Sequence, residues 1–412
     1  MFALLAANLI SQIGNTFSYL AIPWFVLATT GSASQTGITV AVGTIPLVVV
    51  GIFGGTIVDR LGYRRSSIIS DLFSGFSVLL IPLLHATVGL AFWQLLVLVF
   101  LGAVLDGPGS SARSALYPEL VERAGIPLER ANGIYYAAGR AAELLGPPLA
   151  GILIAAIGPS DLLWINAVSF AISAGIVATV IPTIVNSDAA QQAFRGLRGY
   201  VVQVREGFQF LFGNQMLLWL LLSFSIGSLI AEPVYQVVLP VYAKDVLKSS
   251  VQLGFIFAAM GAGSLIGNLI FTTIGLRLSR RMILLGGIGI RAATFIVLLT
   301  TPPWWVIAAA IFIGSVALEP INPMSMSIMQ EQVPPGMRGR VFGARIAIQG
   351  GTLPLGILLY GFLIAGIGLH PTLWTLVIAN LALPVFMALL PSLRDMRRPE
   401  PAPTPTPVAT AD

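Results

Sequence analysis

Long apolar runs separated by short polar turns dominate this chain from residue 2 to residue 392. Each run is about 20 residues or more, the length a helix needs to cross roughly 30 Å of hydrocarbon. The pattern predicts twelve spans, over residues 2–28, 34–58, 66–87, 90–112, 132–157, 160–181, 215–242, 251–275, 282–301, 304–328, 340–366 and 371–392. The longest polar interruption, NSDAAQQAFRGLRGYVVQVREGFQFLFGN over 186–214, divides them six and six, and its second half reads as an amphipathic helix lying on the membrane surface. The organisation expected is a first half over 1–185, a cytoplasmic connecting loop over 186–214, a second half over 215–392 and a cytoplasmic tail over 393–412. That tail ends PEPAPTPTPVATAD, a Pro-rich, low-complexity composition expected to be disordered. The opening MFALLAANLI has no charged leader and its apolar pattern continues past residue 25, so it reads as the first span rather than a cleaved signal peptide.

Composition agrees. Of 412 residues, 56% are hydrophobic and only 9% charged, where soluble domains carry roughly 25% charged residues. The fold class expected is an all-α polytopic membrane protein. There is no cysteine, which excludes disulfides, thiol nucleophiles and thiolate metal sites. The net charge of +5 matters through its placement. Only Lys244 and Lys248 fall in turns after odd-numbered spans; Arg140, Arg291 and Arg345 lie inside spans, and every other arginine follows an even-numbered span or lies in the tail. By the positive-inside rule both termini are cytoplasmic, in a multi-pass protein of the cell (inner) membrane. Nucleic acid is not an expected partner; lipid is.

The two halves echo each other. GGTIVDRLGYRRS joins spans two and three, and TTIGLRLSRRM joins spans eight and nine; GPGSSARSALYPELV ends span four, and EPINPMSMSIMQEQV ends span ten. Two duplicated six-helix halves are a transporter plan, with substrate held between them near mid-membrane.

Within GGTIVDRLGYRR, the glycines permit a tight hairpin between helices, and Asp59 is an acid among arginines that can pair or sit at a helix N-terminus. The stretch resembles the loop signature of the major facilitator superfamily, Gly-x-x-x-Asp-Arg-x-Gly-Arg-Arg. It matches at Gly55, Asp59, Arg60, Gly62, Arg64 and Arg65, with Tyr63 shifting the last pair by one. The second copy keeps Arg277, Arg280 and Arg281 but has Leu276 in place of the acid. The resemblance implies the twelve-helix major facilitator fold in two pseudo-symmetric halves. It also implies that this acid and its arginines, joined by Arg113 at the end of span four, stabilise one state of a cytoplasmic gate.

In span five, GIYYAAGRAAELLGPPLAG (133–151) follows the frame of that superfamily's antiporter signature, Gly-x8-Gly-x3-Gly-Pro-x2-Gly-Gly. The positions are Gly133, Ala142, Gly146, Pro147, Ala150 and Gly151, with alanine at two glycine sites. Small residues let this helix press on a neighbour, and Pro147 and Pro148 bend it. The resemblance implies an exporter that exchanges substrate for protons; a packing kink unrelated to transport direction is the other reading.

Ionisable residues inside spans are functional candidates. Arg140 and Glu143 are three apart on one helix face: Glu143 carries a proton, or the two neutralise each other as a fixed pair. Asp71, Asp106, Glu232 and Glu319 compete for the proton role, with Asp71 and Asp106 also placed to pair with Arg113. Arg291 in span nine requires a partner or a wet pocket that the sequence does not name. Asn8, Ser11, Gln12, Asn15 and Tyr19 form a polar stripe at helical spacing, fit either to line a substrate path or to bond between helices. Arg140, Tyr235, Gln236, Asn322 and Met326 complete the expected cavity lining, with Met324 and Met326 as soft contacts.

The stretches ARSALYPELV, LERANG, LLGPPLAG and RGRVFG are together similar to the drug-exporting branch of the superfamily that includes macrolide efflux proteins, enterobactin exporters and Tap-type multidrug pumps. That similarity implies a monomeric, proton-driven exporter of amphipathic small molecules, with no cofactor or metal and the proton gradient as energy source. An importer coupled to protons is the second reading. A membrane enzyme is the third, without a G-x-S-x-G elbow, a Walker loop or H-E-x-x-H; His85 and His370 sit at outer span ends.

Overall fold

The computed structural model describes residues 1–46, 58, 61–182, 196–393 and 396. Among them the chain is helical with no strand. In the first half lie α1 (Phe2–Thr30), α2 (Ala33–Thr44), α3 (Tyr63–Thr87), α4 (Phe92–Arg123), α5 (Leu128–Ile157) and α6 (Pro159–Val180). The connecting helix α7 (Gly196–Gly213) precedes α8 (Gln215–Leu247), α9 (Ser250–Ile274), α10 (Arg280–Thr300), α11 (Trp304–Gln332), α12 (Pro335–Ile367) and α13 (Leu369–Leu389).

Ten of these helices, from α3 to α6 and α8 to α13, are long and apolar enough to cross a membrane. The first expected span is α1, 29 residues long, with the polar stripe along it. The second is described only over Ala33–Thr44, and the rest of it, with Gly55, Asp59 and Arg60 of the loop signature, lies outside the described residues. Gly62 is described: its φ of +79° is a backbone conformation natural to glycine and strained for other residues.

The chain turns between helices by local chemistry. Gly31 ends α1 at φ +66°, donating its N–H to Leu27 O, and the Ser32 hydroxyl caps α2 by accepting from Gln35 N. The Asn214 side chain caps α8 and Ser249 caps α9 in the same way. Two helices are irregular inside. After Glu232 and Pro233, α8 widens into π-helical turns over Val234–Val238 and Ala243–Leu247, and α11 is interrupted at Glu319 and Pro320. A proline removes one backbone donor, and widened turns of this kind recur at functional positions.

Within the first half α1 packs on α5 and α6, and α3 on α4 and α6; within the second, α11 packs on α9 and α10, and α8 on α12. Helix α7 docks on α12 through a 2.9 Å Glu206–Arg340 ion pair, with Leu211 fully buried. The amphipathic segment expected on the membrane surface therefore rests on protein. The duplication is visible in a matched pair of contacts. Arg64 at the start of α3 donates to the Ala178 carbonyl (2.5 Å) at the end of α6, and Arg281 at the start of α10 donates to the Ala388 carbonyl (3.0 Å) at the end of α13. Each places a cation on the negative end of a helix that has run out of backbone donors.

Apolar packing sets the shape. One cluster joins both halves at the end where α1 and α8 finish, including Phe25, Ala150, Leu239, Phe257 and Ile357. At the opposite end the halves hold separate clusters, Leu4, Leu116 and Val177 in the first and Leu220, Leu284 and Met329 in the second. The shared end is sealed by backbone-to-backbone crossings. A Cβ on Gly254 of α9 would lie 2.5 Å from Pro147 O of α5, and one on Gly151 would lie 2.5 Å from Ser250 O. Ser250 Oγ donates to Gly151 O at 2.9 Å. Gly37 of α2 meets Gly361 of α12 in the same manner. Lys244 Nζ of α8 donates to the Leu27 carbonyl of α1, bridging the halves. The molecule is thus closed at one end and open at the other.

Candidate functional site

Three voids lie inside the molecule, one lined by both halves and one within each half. One of about 440 Å³ is walled by α1 to α4 and α6, among others by Asn15, Tyr19, Ser74, Asp106 and Asn166, with Gln236 from α8. A second of about 340 Å³ lies between α1, α4 and α5, at Asn8, Gln12, Asn15, Arg140 and Glu143. The third, about 350 Å³, belongs to the second half, with Glu232, Arg291, Asn322, Arg345 and Gln349. Asn15 borders the first two, and Leu353 borders both the first and the third.

The acids separate by their surroundings. Asp71 is fully buried and satisfied. Its Oδ1 accepts from Arg113 Nη1 at 2.7 Å and its Oδ2 from Ser173 at 2.6 Å. Arg113, only 2% exposed, also donates to Asn8 Oδ1 at 3.1 Å and reaches the Ser67 and Ser11 hydroxyls. This network ties α1, α3, α4 and α6 together. It corrects the placement of Arg113 in a gating loop: α4 continues to Arg123, and Arg113 is an interior residue whose charge is compensated by Asp71. A buried carboxylate–guanidinium pair loses about 3–5 kcal/mol when one partner is removed, because the other is left uncompensated. Asp71→Ala is therefore expected to lower the thermal midpoint of the detergent-solubilised protein sharply; an unchanged midpoint would show that the network holds nothing.

Arg140 and Glu143 do meet, at 2.7 Å, but their side chains are 44% and 50% exposed. They border the second void as an exposed pair, and exposed pairs contribute little energy. Glu319 accepts from Asn268 at 3.1 Å across α9 and α11, in the break of α11 rather than in the three voids. Asp106 differs from all of these. Its Oδ2 accepts from Asn15 at 3.0 Å, while its Oδ1 is buried without a hydrogen-bond partner. It makes no ion pair with Arg113. Glu232 faces the second-half void without a hydrogen-bond partner of its own among the described residues.

Of the expected lining residues, Asn8, Gln12, Asn15, Arg140, Gln236 and Asn322 border the voids. Tyr235 does not: it is buried edge-on against Phe295. Met326 is exposed outside the voids, and Met324 is packed in the second-half core. The turn of α8 explains Tyr235, since neighbouring residues point to different sides and only Gln236 reaches the cavity. In the α5 signature, Gly146 accommodates Thr16 of α1, Ala142 and Ala150 are buried, and Pro147 and Gly151 form the crossing with α9. Gly133 has open space around it. Arg345 and Gln349 of the cavity, and Ser173, Gly254 and Ser250 of the packing, were not among the residues expected. Arg345 carried a signal, being a charge inside a span; the small residues of α9 carried another, in GFIFAAMGAGSLIG.

An all-helical multi-pass membrane protein, with a polar cavity between two packed halves and glycine crossings at one end, is a transporter of the major facilitator class. The profile of the family described as transmembrane secretion effector matches residues 1–406, and the chain belongs to that family. It is 32% identical over 399 residues to the multidrug efflux pump Tap of Mycolicibacterium fortuitum, covering 95% of this chain and 96% of that protein. It is 20% identical over 371 residues to macrolide efflux protein A of Streptococcus pyogenes, covering 89% of each. Among solved structures, the nucleoside transporter NupG superposes with a TM-score of 0.72 at 14% identity, over 96% of this chain and 100% of that one, a likeness of fold.

Proposed function

We propose that this protein is a proton-coupled antiporter that exports amphipathic small molecules from the cytoplasm by alternating access. It works as a monomer in the cell membrane, with both termini cytoplasmic. The observation that carries this reading is a cavity walled by both halves, sealed by the α5–α9 and α2–α12 glycine crossings and open at the other end. The names of the relatives, multidrug efflux pump and macrolide efflux protein, support export and the amphipathic class of cargo. The arginines at the start of α3 and α10 and the end of α4 are at the open end, so the positive-inside rule makes it cytoplasmic.

In this state cargo enters from the cytoplasm. Residues 1–185 and 215–392 then rock about the cavity, breaking the glycine seal and the Lys244–Leu27 bridge. The energy comes from the proton gradient, with no cofactor. Asp106 is the coupling acid, because it is the cavity carboxylate with a buried and unpartnered oxygen; proton binding and release there changes the relative stability of the two states.

The test is dye transport in proteoliposomes with an imposed pH gradient of either sign. Rhodamine and ethidium dyes are expected to move against the proton flow and to stop with an uncoupler. Movement along the proton flow would make the protein a symporter. Glu143→Gln is expected to keep gradient-driven accumulation within about twofold of the parent, as for loss of a solvated pair. Loss of accumulation in that variant would return the proton role to Glu143.

A further inference from the structure

Three arginines are buried among the described residues, and two of them hold a carboxylate. Arg113 pairs with Asp71 at 2.7 Å, and Arg280 grips Glu331 with two bonds of 2.8 and 2.5 Å. Arg291, 5% exposed, holds none. Its Nε is buried without a hydrogen-bond partner, and no ion pair within 4.0 Å joins it to Glu232 or to any other described residue. It lines the second-half void, where Arg345 is the other cation. Arg345 contacts only neutral groups there, donating to Gln349 Oε1 at 3.3 Å and reaching Met329 Sδ at 3.4 Å. The charged groups facing this void from α8, α10, α11 and α12 are Glu232, Arg291 and Arg345, leaving one positive charge over.

A buried guanidinium that touches no carboxylate is expensive in a membrane interior, and Glu232, the one acid facing this void, cannot balance both Arg291 and Arg345. A fold keeps one most readily where something arrives to complete it. We propose that the second-half cavity is an oxyanion subsite in which Arg291, with Arg345, binds a carboxylate or a comparably acidic oxygen of the exported molecule. Guanidinium groups suit this because their forked donors match a carboxylate's two oxygens. Asn322 and Gln349 add neutral donors, and Phe224 and Leu353 supply apolar wall. Across Leu353 the first-half void ends on Asp106, whose buried oxygen accepts nothing. The cavity is therefore polarised, basic in one half and acidic in the other. It fits an amphiphile that places its anionic group at Arg291 and lays its apolar body along the first-half void. The other first-half charges, Arg113 with Asp71 and Arg140 with Glu143, cancel in pairs.

This inference rests on the exporter reading for its cargo, yet it is tested separately, at equilibrium and without a gradient. The probes are rhodamine B, a zwitterion with a free carboxylate, and its ethyl ester, a cation otherwise identical. Binding to the full chain in nanodiscs is followed by fluorescence anisotropy. The parent is expected to bind rhodamine B tighter than the ester by roughly tenfold or more, the worth of a charge-assisted bidentate contact. Arg291→Gln and Arg345→Gln are expected to erase most of that preference, and Arg291→Lys to keep part of it. Arg345 is half-buried, so its variant guards against a fold loss at Arg291, with monodispersity on gel filtration as the check. Equal binding of the two dyes by the parent, tighter binding of the ester, binding of neither, or a preference surviving in both Gln variants would overturn the subsite. Export of dye by a parent without carboxylate preference sinks the subsite alone; preference without export sinks the exporter reading alone.

Discussion

Asp106→Asn is expected to bind substrate and exchange it across the membrane, but to lose proton-driven accumulation by at least tenfold to a hundredfold, as when a gradient can no longer bias one state over the other. The substitution is nearly isosteric. The carbonyl oxygen of the substituted amide can still accept from the Asn15 side chain, now 3.0 Å from Asp106 Oδ2, so the local packing of α1 and α4 is kept. What disappears is the ability of this position to change charge. The buried Oδ1 has no donor, so the ionised carboxylate is only half-solvated by the protein, and the stability of the closed-outside state depends on whether a proton is present. Asp71 is matched by Arg113 and Glu143 is paired with Arg140 at an exposed position, so neither leaves a buried carboxylate oxygen without a partner. Counterflow of labelled dye with no gradient, measured beside uphill accumulation, separates the two activities. Full uphill accumulation by the variant would remove Asp106 from the mechanism and leave Glu232 as the cavity acid to examine next. Loss of exchange as well as accumulation would mean that the residue holds substrate or structure, not the proton.

The helical spans were legible because hydrocarbon leaves the backbone no other choice, and twenty apolar residues in a row are hard to misread. The edges were less so. Arg113 looked like loop charge because positive-inside counting treats arginine as a mark of the membrane surface; inside the fold it is stabilised by Asp71, distant in sequence, and by Ser67, Asn8 and Ser11. The pattern did offer Asp71 and Asp106 as partners for Arg113, and the structure takes Asp71 and leaves Asp106 out; the convergence of Asn8, Ser11 and Ser67 on the same guanidinium had no mark in the sequence. The same limitation ran the other way at Arg140 and Glu143. The spacing left them as a proton carrier with its neighbour or as a fixed pair, and the structure pairs them at 2.7 Å with both side chains about half exposed at a void, a setting the apolar run around them did not show. Arg291 was legible as a problem, a cation in mid-span without a local partner, and the structure leaves it without one. The polar stripe of α1 lies on one face, where Asn8 bonds to Arg113 between helices and Gln12 borders a void.

The glycines of the sealed end lead to the other large effect. Gly254→Leu is expected to leave a folded protein that transports at least tenfold more slowly and rests with its sealed end parted, because the added side chain has no space to occupy. The ideal Cβ at Gly254 falls 2.5 Å from the Pro147 carbonyl oxygen, with Pro147 C and Pro148 Cα both at 3.1 Å. These are backbone atoms and cannot turn aside as a side-chain tip would. The only relief is for α9 to withdraw from α5, which is the motion that opens this end. The reciprocal crossing at Gly151 and Ser250, and the hydrogen bond from Ser250 Oγ to Gly151 O, would part with it. The second crossing, Gly37 against Gly361, would then carry the seal alone. The chain contains no cysteine, so a single Gln236→Cys in the cavity wall gives a background-free report. A membrane-impermeant maleimide applied from the sealed side should label it slowly in the parent and several-fold faster with Gly254→Leu, since side-chain exposure tracks the state populated. Gly286→Leu, at a glycine with nothing within 4 Å of its added Cβ, is the matched control for the cost of the substitution itself. Equal labelling and turnover in both variants would show that the α5–α9 crossing does not hold the seal, and the antiporter signature in α5 would then be a packing kink with no part in the cycle.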